Sequence, residues 1–208
     1  MAVQTLVEAA DLSRRLILTM LDILIPDDFW AGIGVKKIAF HRANADVLNV
    51  LSRRLGQLGR EPGQDPNYKT LNQITMTRSL VTALSSIVVF KEMGLSSLPQ
   101  MTLWIGLSKA ALSVAFTEAD RLTDPYFDPD SIKDLTRQAI DSIDTALKAV
   151  VESMTPSMIH FMNQLMNQLK GDPESPAGDA GTRLAASELE AESSKLEGNP
   201  AASNFQRS

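Results

Sequence analysis

The sequence predicts an all-α fold, a compact bundle of five to six helices with a buried central hairpin and a disordered C-terminal tail. Three observations predict it. Apolar residues recur at spacings of three and four through residues 1–170. Proline, glycine and Asp/Asn breaks cut that pattern into helix-length pieces. No strand-like alternation bounded by turn signals competes with it. The valine-rich stretch SSIVVF (85–90) is the one ambiguous spot, and it lies inside a longer helical pattern.

The first helix is expected over 4–25, with Leu6, Ala9, Leu16, Met20 and Leu24 on one face and Pro26 ending it. After the connection PDDFWAGIG, a second helix is expected over 35–60. At 100° per residue, Phe40, Val47, Leu51 and Leu58 cluster on one side of it and Arg42, Arg53 and Arg60 on the other. The loop EPGQDPN leads to a third helix over 69–92, where Thr70 and Gln73 have the spacing of a capping box. A fourth helix follows over 100–121. The third and fourth are apolar nearly all round, as helices covered by their neighbours are, so a buried hairpin is expected there.

The Asp-Pro steps of DPYFDPD form the next break, and Asp130 or Ser131 is placed to cap a fifth helix over 131–153. Its core positions are Ile132, Leu135, Ala139, Ile143, Ala146 and Val150, and Asp144 and Lys148 form a correctly ordered i,i+4 pair. Pro156 opens a sixth helix that stops near Lys170–Gly171. Residues 171–208 contain no Ile, Val, Met, Trp or Tyr. Such a segment buries too little apolar area to offset the entropy of ordering it, so it reads as a disordered acidic tail beyond a 1–170 bundle domain.

Charge is uneven. Residues 1–110 hold 12 basic and 9 acidic residues, and the remainder 8 and 16. The absence of cysteine excludes disulfides, thiolate zinc sites and a cysteine nucleophile. The first residues carry Glu8 and Asp11 before any basic residue, so no signal peptide is read, and an intracellular (cytoplasmic) or virion location is expected. No run of about 18 uncharged apolar residues exists, so no membrane span is expected.

Four constellations carry the functional reading. Lys36, Lys37, Arg42, Arg53, Arg54 and Arg60 make a basic segment in which Asp46 is the sole acid. It is either a solvated face or a contact for the phosphate backbone of single-stranded nucleic acid or for an acidic protein surface, the chain's own tail included. Met154, Met158, Met162 and Met166 recur every four residues, and with Leu165 and Leu169 they form an apolar stripe beside an uncharged amide face. Methionine adapts to irregular contacts, so this helix either closes its own bundle or docks on a second copy through Met158, Met162, Leu165, Met166 and Leu169.

The third constellation, Asp128-x-Asp130, opens like a calcium loop, but Lys133 stands at the glycine position and no glutamate stands at the twelfth; no metal site is expected. The fourth concerns catalysis. His41 and His160 have no accompanying HExxH, GxSxG, P-loop or GxGxxG motif, so no catalytic residue and no cofactor is expected. The spacing Leu51, Leu55, Leu58, Gly59 matches the death-motif helix of the apoptosis-regulator bundle family. Arg60 stands where that family has an acid, and its Asn-Trp-Gly-Arg turn is absent, so no relationship is read.

The expected function is therefore a non-enzymatic structural or scaffolding protein that self-associates as a homo-oligomer, of the kind found as viral or phage subunits. The alternative is a single-stranded nucleic-acid binder of nucleocapsid or transcription-associated type. A third reading is an adaptor with a linear motif in the tail, near Phe205.

Overall fold

The computed structural model describes residues 1–25, 36, 40–58, 68–94, 98–122 and 128–170. Among them are six helices and no strand: α1 (Ala2–Leu24), α2 (Ala45–Leu58), α3 (Tyr68–Glu92), α4 (Leu98–Ala119), α5 (Pro129–Ser153) and α6 (Pro156–Lys170). The fold is all-α, as expected. The chain divides into two compact units, Met1–Gln164 and Leu165–Ser208. The tail, with Phe205, lies outside the described residues.

Helices α1, α3, α4 and α5 close on one another as a four-helix bundle, in the cyclic order α1–α3–α4–α5. Helix α2 packs against α3 from outside. The α1 core face is Leu6, Ala9, Ala10, Ser13, Ile17, Met20, Leu21 and Leu24, at the three-and-four spacing of an amphipathic helix. Helix α5 matches it with Ile132, Thr136, Ala139, Ile143, Ala146 and Val150. At their junction the Thr136 hydroxyl donates to the Ile132 carbonyl (2.7 Å) and lies 3.0 Å from the Met20 sulfur.

The pairing of α4 with α5 is antiparallel. Lys109 bonds Asp144 (2.5 Å), the Arg137 guanidinium sits 5.5 Å from the Phe116 ring centre, and Asp120 pairs with Lys133. Partners thus fall along α5 as they rise along α4. Asp144 thus pairs across to α4, and no ion pair joins it to Lys148. Contact with Asp120 holds the Lys133 ammonium above its ordinary pKa.

Helix α3 is the most enclosed element, covered by α1, α2 and α4. It carries many hydroxyls, and burial of four of them is tolerable because they bond within the helix. Ser79, Thr82, Ser85 and Ser86 each donate to the carbonyl four residues back, at 2.9–3.0 Å. Helix α3 begins at Tyr68, two residues before Thr70, whose side chain and the capping box expected of it lie outside the described residues. Gln73 donates to the Leu24 carbonyl (2.7 Å), and Asn72 donates to the Arg121 carbonyl (3.0 Å). These neighbouring amides satisfy carbonyls that the ends of α1 and α4 leave without helical partners. Gly94, at φ 63°, takes the left-handed conformation that ends α3.

Two expectations need correction. Helix α2 starts at Ala45, not near 35, because the Asn44 side chain accepts from the Val47 amide (3.1 Å) and caps it. Phe40 and His41 before it are helical, the Phe40 amide donating to the Lys36 carbonyl (3.2 Å), so the expected helix is interrupted at 42–44; Phe40 is buried. The cap of α5 is Asp128, with Pro129 behind it, in place of Asp130 or Ser131. The Asp128 carboxylate accepts from the Asp130 amide (3.1 Å) and from the Ser131 hydroxyl (2.5 Å).

One helix among the described residues, Leu71–Glu92, is long and apolar enough to cross a membrane by length and composition. Its most apolar 18-residue window is 67% buried within the bundle. That is the pattern of a core helix.

Candidate interaction surfaces

The α2 surface follows from how that helix meets α3. Ser52 donates to the Thr82 hydroxyl (2.8 Å), since Thr82 spends its own proton on the Arg78 carbonyl (2.9 Å). One turn on, the Arg78 side chain crosses Gly56, its Nη1 3.2 Å from where a Cβ would stand. Small residues at 52 and 56 therefore let the helices approach closely, and this contact sets the rotation of α2. The core face is Ala45, Leu48, Leu51 and Leu55. Val47, expected in the core, is 48% exposed, and Val50 is 60% exposed.

This rotation changes the basic segment. Arg42 lies in the turn before α2, so it does not share a helical face with Arg53. Lys36, Arg42, Arg53 and Arg54 are exposed and have no ion pair among the described residues. Lys37 and Arg60 lie outside them. The continuous arginine row that motivated a phosphate-tracking surface is not formed by the residues described. Arg78 joins the basic group instead. The sequence signal for it was the gap opposite Gly56, legible only once the α2–α3 pairing is known.

On α6, the side chains of Met158 and Met162 are half-buried against the core together with Ile159, and Phe161 is 41% exposed. Leu165 is buried. The side chains of Met166 and Leu169 lie outside the described residues. The Thr155 hydroxyl accepts from the Met158 amide (3.4 Å) at the start of the helix, ahead of Pro156. No Asp, Glu, Lys or Arg occurs from 153 to 169. A second uncharged face runs along α4, where Ala110, Ser113, Val114 and Thr117 are exposed and Leu103, Gly106 and Leu107 are half-buried. Helix α3 is thus enclosed as expected of the hairpin, while α4 keeps one side open.

His41 Nε2 lies 3.1 Å from an Asp22 carboxylate oxygen, and its ring meets Phe40 edge-on at 6.2 Å. A histidine–carboxylate pair needs a nucleophile or a substrate proton within hydrogen-bond reach to act as a base. Among the described residues His41 has no hydrogen-bond partner besides Asp22. His160 is exposed and contacts the Gln164 amide. No group of three or more His, Asp or Glu side chains among the described residues is placed to hold a metal ion. Asp128 spends its acceptors on capping α5, and those bonds, the one from Ser131 foremost, lower its pKa.

Comparison with protein-family models, with curated proteins and with solved structures finds no match to this chain.

Proposed function

We propose that the chain is a non-enzymatic structural subunit that self-associates through α6. The observation that carries this reading is the uncharged helix with Phe161 exposed and Met158 and Met162 only half-covered, next to four helices that already close on one another. An apolar surface without charges costs little to remove from water and has no carboxylate or ammonium to desolvate. A second copy supplies a matching surface, because a two-fold contact places the same patch on both partners. Methionine side chains let the two helices adjust to each other.

Light scattering across a concentration series tests the proposal. We expect a mass above that of the monomer, and Phe161→Glu should reduce it to one chain. Phe161 is exposed, so the substituted chain should keep the helical circular-dichroism signal of the parent. Val114→Glu on the open face of α4 is the control and should leave the oligomer intact. A monomer at every concentration, or dissociation by Val114→Glu and not by Phe161→Glu, would refute assembly through α6.

A further inference from the structure

The described acids are largely engaged on α1, α4 and α5. Asp11 pairs with Lys91, Asp22 with His41, Glu118 with Arg121, Asp120 with Lys133, Asp134 with Arg137 and Asp144 with Lys109. The α2 side of the molecule is different. From Lys36 through Lys91 the only acid among the described residues is Asp46, while Arg53 and Arg54 stand exposed without a counter-charge. The Arg78 side chain lies across Gly56, one helical turn from Arg53. Like charges gathered on a surface repel one another, and an anionic partner converts that repulsion into attraction.

The same surface is also apolar at its middle. Asp46, Val47, Val50, Arg53, Arg54 and Gln57 are all exposed. At 100° per residue they span an arc of about 120°, with Val50 at its centre. Arg54 and Val47 flank Val50 on one side, and Arg53 and Asp46 on the other. No aromatic ring lies on this arc, and Phe40 is buried, so the stacking platform that single-stranded nucleic acid uses is lacking. Val50 at the centre and Val47 at one margin, with Arg54 between them and Arg53 at the opposite margin, match a partner that presents apolar and acidic side chains together on one face.

We propose that the outer face of α2 docks an acidic amphipathic helix of a partner protein. Its apolar side chains would cover Val47 and Val50, and its carboxylates would meet Arg53 and Arg54, with Arg78 at the edge. This is the helix-on-surface mode of recognition, in which apolar anchors supply affinity and the charged margin supplies orientation and encounter rate. The residues of this surface lie on α2 and α3 and none on α6, so docking can hold where self-association through α6 fails, and the reverse.

The test is fluorescence anisotropy with the full chain and three labelled probes. The first is a helical peptide of Leu, Ala and Glu with its leucines on one face. The second is an oligo-glutamate of equal net charge, and the third is oligodeoxythymidine. We expect the amphipathic peptide to bind best, and added salt to weaken it. Val50→Ser and Arg54→Glu should each weaken it about tenfold, through lost apolar burial and lost charge pairing respectively. Both sites are exposed, so an unchanged thermal midpoint accompanies a true binding defect. Three results would overturn the proposal: equal binding of oligo-glutamate, tighter binding of oligodeoxythymidine with no effect of Val50→Ser, or no binding of the peptide at low salt.

Discussion

Gly106 lies within α4, yet a Cβ added there would meet nothing within 4 Å. Glycine in a helix interior sacrifices backbone entropy on folding with no packing in return. Gly106→Ala is therefore expected to stabilise the chain by about 0.5–1 kcal/mol. The reading is a higher urea midpoint with an unchanged slope. A lower midpoint would mean that the open side of α4 is occupied. Ser13, Thr77 and Ser108 present the opposite case, since their hydroxyls are buried without a hydrogen-bond partner. Nothing in the structure explains these three hydroxyls. Their small volume admits close helix packing, but alanine would give that as well.

At the scale of the element, helix ends decide more than helix interiors. Asp128 holds the first turn of α5, and its bonds from Ser131 and Asp130 favour the ionised carboxylate. Its folded pKa lies below the unfolded value, so its contribution is present above that unfolded value. It is lost as pH falls through the lowered one. Asp128→Asn keeps an acceptor at the cap but removes the titration. Stability of the variant, followed by circular dichroism in urea, should fall less steeply below about pH 4 than that of the parent. Parallel acid profiles for the two chains would show that the cap contributes nothing to acid sensitivity.

The helices themselves were legible because periodicity, proline and glycine are local signals. Five of the six begin within about two residues of the expected position, the usual scatter of helix ends. The exception, α2, was misread because Arg42 and Phe40 continue the periodic pattern backward, while Asn44 breaks the helix by side-chain capping. The cap signal stood in the sequence as Asn44 before Asp46, but the periodic pattern concealed it.

At the scale of the whole molecule, enclosure is graded. Helix α3 has neighbours on three sides, and α2 packs chiefly on one. Amides buried under several elements exchange with solvent only when the whole domain opens, whereas those of a one-sided helix exchange through local opening. Hydrogen exchange followed by mass spectrometry should therefore find α3 slowest and α2 appreciably faster. Equal protection of α2 and α3 would mean that a partner, another copy included, covers the outer face of α2.

The sequence by itself determined the helical class, the breaks between helices other than the one before α2, the enclosure of α3, and the uncharged character of α6, because each depends on residues close together along the chain. Only the tertiary structure decided which way α2 turns, that Arg42 and Arg53 share no face, that Arg78 crosses Gly56, and that Gln73 serves the end of α1. Those outcomes depend on which helix lies opposite. Packing selects a rotation from the small residues and hydroxyls at a contact, and periodicity alone leaves that rotation undetermined by about a residue's width.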